Sequence, residues 1–256
     1  AKVYNRLPID ADAVVEEYAT YAAALRPRIA DTSLLIWKAL REGKQVLFEG
    51  AQGTMLDVDH GTYPFVTSSS PVAGGALLGC GVGPRDVDRV IGIAKAYTTR
   101  VGSGPFPTEL HGPEGDALRS AGAEFGVTTG RPRRCGWLDT VQLRYAARVS
   151  GLTELFVTKL DVLSTMERVP VATAYRVNGG VSQDWPLTQT EVHHAEPVYE
   201  WFEGWREDIT GVTSYAGLPR NARAYIEVIE KLTGVGVSAV FVGPGREQTL
   251  LRRPGE

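Results

Sequence analysis

Four times along this chain a stretch of helical hydrophobic period runs into a short apolar segment of strand character, and this recurrence constrains the fold more than any other feature. The pattern predicts helices over 31–40, 83–94, 139–150 and 218–232. Each is followed by a strand, over 45–49, 96–101, 155–158 and 237–242. One more helix is predicted over 12–25. Asp31 or Thr32, and Asp139, stand where N-cap side chains belong, and Gly43, Gly151 and Gly234 stand where helices stop. Apolar strands separated by helices belong in a mainly parallel central sheet, flanked by helices on both faces, so the expected class is α/β. The segment 169–177 alternates instead, and Asn178-Gly179-Gly180 follows it as a turn signal. An antiparallel hairpin insertion is expected there.

The length suits one large α/β domain or two small ones, and 1–256 is expected to form one. The net charge of −3 argues against a nucleic-acid partner, which usually meets a basic excess. No run is long and apolar enough to span a bilayer, and the N-terminus carries no signal pattern, so no membrane partner is expected. Cys80 and Cys135 lack metal-ligand spacing and suit a reduced, cytoplasmic setting. The chain opens on Ala1 within polar sequence, and a preceding segment is expected. The four histidines form no metal constellation. His193 and His194 are adjacent, and on regular structure they point apart. His60 suits a structural hydrogen bond better than catalysis, and the segment 201–205, with Trp at each end, reads as packing.

Chemistry is expected in the two long Gly-, Pro-, Ser- and Thr-rich stretches, 50–84 and 102–136, and at strand ends. Phe48-Glu49-Gly50-Ala51-Gln52-Gly53-Thr54 runs a strand into two glycines bracketing an amide. That fits a backbone approach to a ligand, and equally a tight turn with a surface Gln. The hydroxyls of Thr67-Ser68-Ser69-Ser70 can bind a phosphate, and are as common in solvated loops. Thr128-Thr129-Gly130-Arg131-Pro132-Arg133-Arg134 gathers three arginines in an acidic chain. Their forks match carboxylates and phosphates, so the segment reads as an anion clamp, with a solvated basic loop as the alternative. Thr158-Lys159-Leu160-Asp161 ends an apolar strand and has the form of a guanine reader. A carboxylate there accepts from the ring N–H and the amino group of guanine, a donor pair that adenine lacks. The plain alternative is a surface Lys and Asp ending a strand. Phe241-Val242-Gly243-Pro244-Gly245-Arg246 could line a base pocket with backbone, or be a turn after an edge strand.

Taken in order, these segments resemble adenylosuccinate synthetase. The resemblance is carried by 48–53, by Asp59-His60-Gly61-Thr62-Tyr63-Pro64 with Val66-Thr67-Ser68-Ser69, by Gly104-Pro105-Phe106-Pro107-Thr108-Glu109, and by 128–131, 158–161 and Gly217-Leu218-Pro219. It covers essentially the whole chain. It implies a P-loop-NTPase-like fold with long active-site loops, and a GTP-dependent ligation of L-aspartate to IMP. It also implies a homodimer and Mg²⁺ as cofactor. Carried over by position, it assigns IMP contacts to Gln52, Thr67 and Arg131, and aspartate contacts to Val127, Thr128, Thr129, Gly130, Arg131 and Arg133. Guanine-nucleotide contacts fall to Arg133, Lys159, Leu160, Asp161, Phe241, Val242 and Gly243. The family's phosphate loop, with its catalytic Asp and metal ligand, has no counterpart here, nor has the catalytic His that follows it. The resemblance therefore implies that this chain lacks the catalytic pair and the magnesium ligands, and by itself does not turn over.

Overall fold

The computed structural model describes residues 8–127 and 130–252. They form two compact units, one of residues up to Leu47 with Cys80–Val82, the other of Phe48–Gly79 with the chain from Gly83 onward. The first unit contains α1 (Ala11–Leu25) and α2 (Thr32–Arg41). Asp10 caps α1 by accepting from the Asp12 and Ala13 amides, and Asp31 caps α2 by accepting from Leu34 N. Neither helix contains a buried residue. Local capping makes these helices, and their apolar residues, such as Val15, Leu35 and Trp37, remain open to solvent.

The expected strand over 45–49 does not form. The segment has no regular structure, Leu47 is 84% exposed, and no strand pairs with it among the described residues. An apolar run becomes a strand only where a ladder partner lies beside it, and none does here. The helix expected over 83–94 is also absent. After α3 (Ala73–Cys80), Pro84–Asp86 make a single 3₁₀ turn and Ile91–Lys95 form strand β1. Proline after Gly83 began the turn, and the β-branched Val90, Ile91 and Ile93 then favoured a ladder over a helix.

The second unit is built on mixed sheets, a correction to the mainly parallel one expected. The first sheet has the order β1, β5 (Glu154–Thr158), β9 (Val237–Phe241), β10 (Thr249–Leu251). Its first two pairings are parallel, and β9–β10 is antiparallel. A ribbon pairs β2 (Thr98–Arg100) with β3 (Arg134–Gly136) antiparallel. In the third sheet β6 (Arg168–Val177) runs parallel to β4 (Leu138–Asp139) and antiparallel to β7 (Gly180–Ser182) and β8 (Glu196–Glu203). The hairpin at Asn178-Gly179 forms as expected, with both residues at positive φ. It is not an appended insertion, however. Val169 to Tyr175 are buried at every position, so β6 is a central strand covered on both faces.

Helices α4 (Pro113–Ala121), α5 (Thr140–Ser150), α6 (Gln189–His193) and α7 (Arg220–Thr233) complete the unit. Asp139 caps α5, and Gly151, in the left-handed conformation, ends it. On α7, Ala222, Tyr225, Ile226 and Ile229 follow the i, i+3, i+4, i+7 spacing and are all buried. They pack with Leu155, Val157, Val237 and Val240 of the first sheet in one continuous core. Each such large side chain contributes about 1.5–3 kcal/mol by leaving water. Trp205 lies in this core and donates its indole N–H to Ser164 Oγ, whereas Trp201 is 53% exposed beneath Arg168. His193 and His194 do not point apart. Their rings meet edge to face at 5.3 Å, because His194 has left the helix as its C-cap.

Candidate functional site

Strands β5 and β9 are parallel neighbours with Val157 opposite Val240, so their carboxyl ends finish side by side. Ligand sites in α/β sheets lie at that edge. Beyond β5, Lys159 takes a left-handed backbone (φ 64°) and turns the chain into the 3₁₀ turn Leu160–Leu163. Beyond β9 come Val242 and Gly243, where an added Cβ would lie 2.3 Å from the Gln248 side chain. The guanine-reader segment and the Gly/Pro turn are thus brought together. Leu160 and Val242 bury their side chains fully in the core, which leaves only their backbone to face a ligand. The rings of Phe156 and Phe241 lie 6.3 Å apart across the two strands.

Asp161 is the group this edge leaves unsatisfied. Its Oδ1 is buried and has no hydrogen-bond partner. Burial pushes its carboxyl above the ordinary carboxylate range, a rise that Asp208 reinforces and Lys159 opposes. A buried acceptor without a donor costs roughly 1–3 kcal/mol.

The arginine-rich segment folds back on itself. Phe125 and Pro132 form an antiparallel bridge, Gly126 N donates to Arg131 O, and Gly130 N donates to Gly126 O. These bonds bring Gly126 beside Gly130 and Arg131 at a tip on which Val127 is 99% exposed and Arg131 is exposed. Thr128 and Thr129 lie outside the described residues. The three arginines divide. Arg134 pairs with Glu109, donates to the Gly102 and Gly104 carbonyls, and stacks on Phe106. Arg133 pairs with the fully buried Glu124 at 2.7 Å. Arg131 stands at the tip.

Glu124 was not singled out by the sequence. It also accepts from Lys95 Nζ at 2.8 Å and from the Tyr97 hydroxyl at 2.5 Å. Burial pushes its carboxyl up, but the bonds from Lys95, Tyr97 and Arg133 outweigh that and hold it below the usual range. Lys159 Nζ donates to Gly122 O at 2.9 Å, so the C-terminal end of α4, which leads to Glu124, is bonded to the strand end.

Gln52 and Thr67 belong to a different construction, the loop 50–72. The left-handed conformation falls on Gln52 itself (φ 63°), not on the glycines beside it, and Gln52 is exposed. The loop is stitched by Asp57, a fully buried carboxylate that accepts from the Asp59, His60 and Val72 amides. Thr67 N donates to Leu56 O, and its hydroxyl accepts from Ser69 Oγ at 3.4 Å. His60 serves the loop through its backbone, its carbonyl accepting from Tyr145 OH. Arg100 donates to Thr62 Oγ1 and Phe65 O, and burial, with Arg134 nearby, pushes its guanidinium down to about 10. A cavity of about 380 Å³ opens elsewhere, beside Arg144, Tyr145 and Trp185 on α5 and the turn after β7, and none of the sequence-predicted residues lines it. Among the described residues, no group of three or more His, Cys, Asp or Glu side chains could hold a metal. No described helix is long and apolar enough to cross a membrane.

A strand-end carboxylate with an unfilled bond stands at the carboxyl edge of parallel strands, where α/β folds place their ligand sites. The family model for adenylosuccinate synthetase matches residues 1–250, and the chain belongs to that family. It is 63% identical over 250 residues to the adenylosuccinate synthetase of Parafrankia sp. (strain EAN1pec), which covers 98% of this chain and 58% of that protein. It is 60% identical over 251 residues to that of Moorella thermoacetica, covering 98% of this chain and 59% of the relative. The fold matches a fully ligated adenylosuccinate synthetase from Plasmodium falciparum with a TM-score of 0.92 at 39% identity, over 98% of this chain and 60% of that one. A cyanophage S-2L succinoaminodeoxyadenylate synthetase, 18% identical with a TM-score of 0.53, shares the fold alone. The chain therefore spans under two thirds of the length of the relatives it matches.

Proposed function

We propose that this chain supplies the guanine-nucleotide and aspartate sites of an adenylosuccinate synthetase. GTP phosphorylates the 6-oxygen of IMP, and the aspartate amine then displaces that phosphate to give adenylosuccinate, GDP and phosphate. A lactam oxygen is a poor leaving group until it is phosphorylated, and the transfer itself depends mainly on positioning and charge neutralisation. The observation that carries the reading is the buried, unpartnered Oδ1 of Asp161 at the carboxyl edge of β5. Guanine offers two donors to one carboxylate, which would satisfy that oxygen and draw the raised pKa back down.

In this reading Lys159 lays its stem along the base while its ammonium holds Gly122 O, and the backbone of Leu160 and of Phe241 to Gly243 closes the base pocket. Val127, Thr128, Thr129, Gly130 and Arg131 hold aspartate, with Arg131 as the central cation, and Arg133 stands between aspartate and the nucleotide phosphates. Gln52 contacts IMP near its 6-position, Thr67 its phosphate, and Arg131 also reaches it. Mg²⁺ would neutralise the transferring phosphate. Among the described residues, no group of three or more His, Cys, Asp or Glu side chains assembles a site for it. A cytoplasmic homodimer completes the reading.

The test is a full-length Parafrankia synthetase in which this chain replaces the matched 250 residues. Product that depends on GTP, IMP and aspartate together is expected, and a folded chimera without it would refute the proposal. Titrating the chain alone with GDP, IMP and aspartate separates binding from turnover. Affinity without product identifies a module that only binds.

A further inference from the structure

Glu124 has no place in the roles above, yet it is the most completely bonded carboxylate near the site. Its side chain is fully buried and bonded to Arg133, Lys95 and Tyr97. Its backbone works in the same direction, because Arg133 N donates to Glu124 O. Lys95 is the last residue of β1, so the carboxylate ties the base of the 126–131 tip to the edge of the central sheet. The bend that delivers Glu124 is itself constrained. Ala123 is held at φ 49°, and a Cβ on Gly122 would lie 2.1 Å from the Tyr97 hydroxyl. Left-handed backbone at a residue other than glycine persists only where its surroundings impose it. The Gly122 carbonyl is in turn held by Lys159.

We propose that Glu124 is a positioning residue for aspartate: through Arg133 it fixes the tip bearing Arg131 relative to the strand end bearing Asp161, without touching the substrate. The proposal rests on the aspartate reading of that tip. Removing the charge at Glu124 would leave Lys95 and Arg133 as unpaired neighbours, and the tip would lose its register while the nucleotide edge, built on β5 and β9, kept its own.

The chimera tests this. Glu124→Gln is expected to raise KM for aspartate about tenfold and KM for GTP, whose phosphates Arg133 also faces, clearly less, with kcat changed less than about threefold. A general loss of structure would instead lower kcat and weaken both substrates. Because Glu124 acts through Arg133, the pair Glu124→Gln with Arg133→Met should cost no more in aspartate KM than Arg133→Met alone. Additive losses, or an unchanged aspartate KM in Glu124→Gln, overturn the proposal. Should Glu124→Gln not fold, Tyr97→Phe removes one of its bonds and keeps the charge. A rise of about two- to threefold in aspartate KM is then expected, and no rise overturns the proposal equally. Arg131→Leu distinguishes the two levels. If it leaves aspartate KM unaltered, the aspartate reading itself falls; if it raises KM and Glu124→Gln does not, only the role of Glu124 falls.

Discussion

Asp57 and Asp161 are both carboxylates beneath the surface of the same unit, and they are treated in opposite ways. Asp57 receives three backbone amides from the loop it organises, and burial is outweighed so that its carboxyl sits below the usual range. Asp161 stands at the end of a strand with one oxygen left over, and burial lifts its carboxyl. Gln52 and Thr67, proposed for IMP, thus ride on a loop held by polar stitching, and the residues proposed for guanine ride on strands held by an apolar core. The contrast separates a carboxylate that holds the protein together from one kept for something else. Composition and local motif do not make that distinction; the tally of donors does.

Three measurements bear on this contrast. The largest effect is expected at Asp161. Asp161→Asn turns one acceptor into a donor facing the donors of guanine, and in the chimera the preference for GTP over ATP should fall on the order of 100-fold or more. An unchanged preference would break the contrast at its functional end. Asp57→Ala should cost about 2–3 kcal/mol in urea unfolding, chiefly from the stranded Val72 amide, and should weaken IMP more than GDP. Equal weakening of both would mean that loop and strand ends are not independent constructions. The smallest effect concerns pH. The bonds from Arg134 hold Glu109 below the usual range, and those around Glu124 do the same there. Such groups bind fewer protons folded than unfolded. The stability they contribute is present above the ordinary Glu value of about 4.3 and is lost as pH falls through their lower folded values. Urea midpoints recorded between pH 6 and 3 should therefore decline, and less steeply in Glu124→Gln.

Much of the fold was legible because its signals are local. Asp139 and Gly151 bound α5, Asn178-Gly179 makes its hairpin, and the spacing of Ala222, Tyr225, Ile226 and Ile229 gives the buried face of α7. The misreadings share a non-local cause. Residues 45–49 have the composition of a strand without a neighbour, and 91–95 became a strand because β5 lies beside them. The continuous burial of β6 comes from sheets and helices distant in sequence. At the site, Lys159 and Asp161 could be read from a strand ending in the right residue types. Glu124 could not, since its importance appears only when residues 95, 97 and 133 close around it. The division of labour among Arg131, Arg133 and Arg134 was hidden for the same reason.

The irregular stretch after Lys44 has a practical consequence. Proteases cleave chain that regular structure does not hold, and among the described residues no strand pairs with this segment, with Lys44 and Arg41 just ahead of it. Brief trypsin treatment should cut there first and release a core beginning near Gln45. That would give crystallisation or exchange experiments a trimmed protein that keeps every residue proposed to meet a ligand.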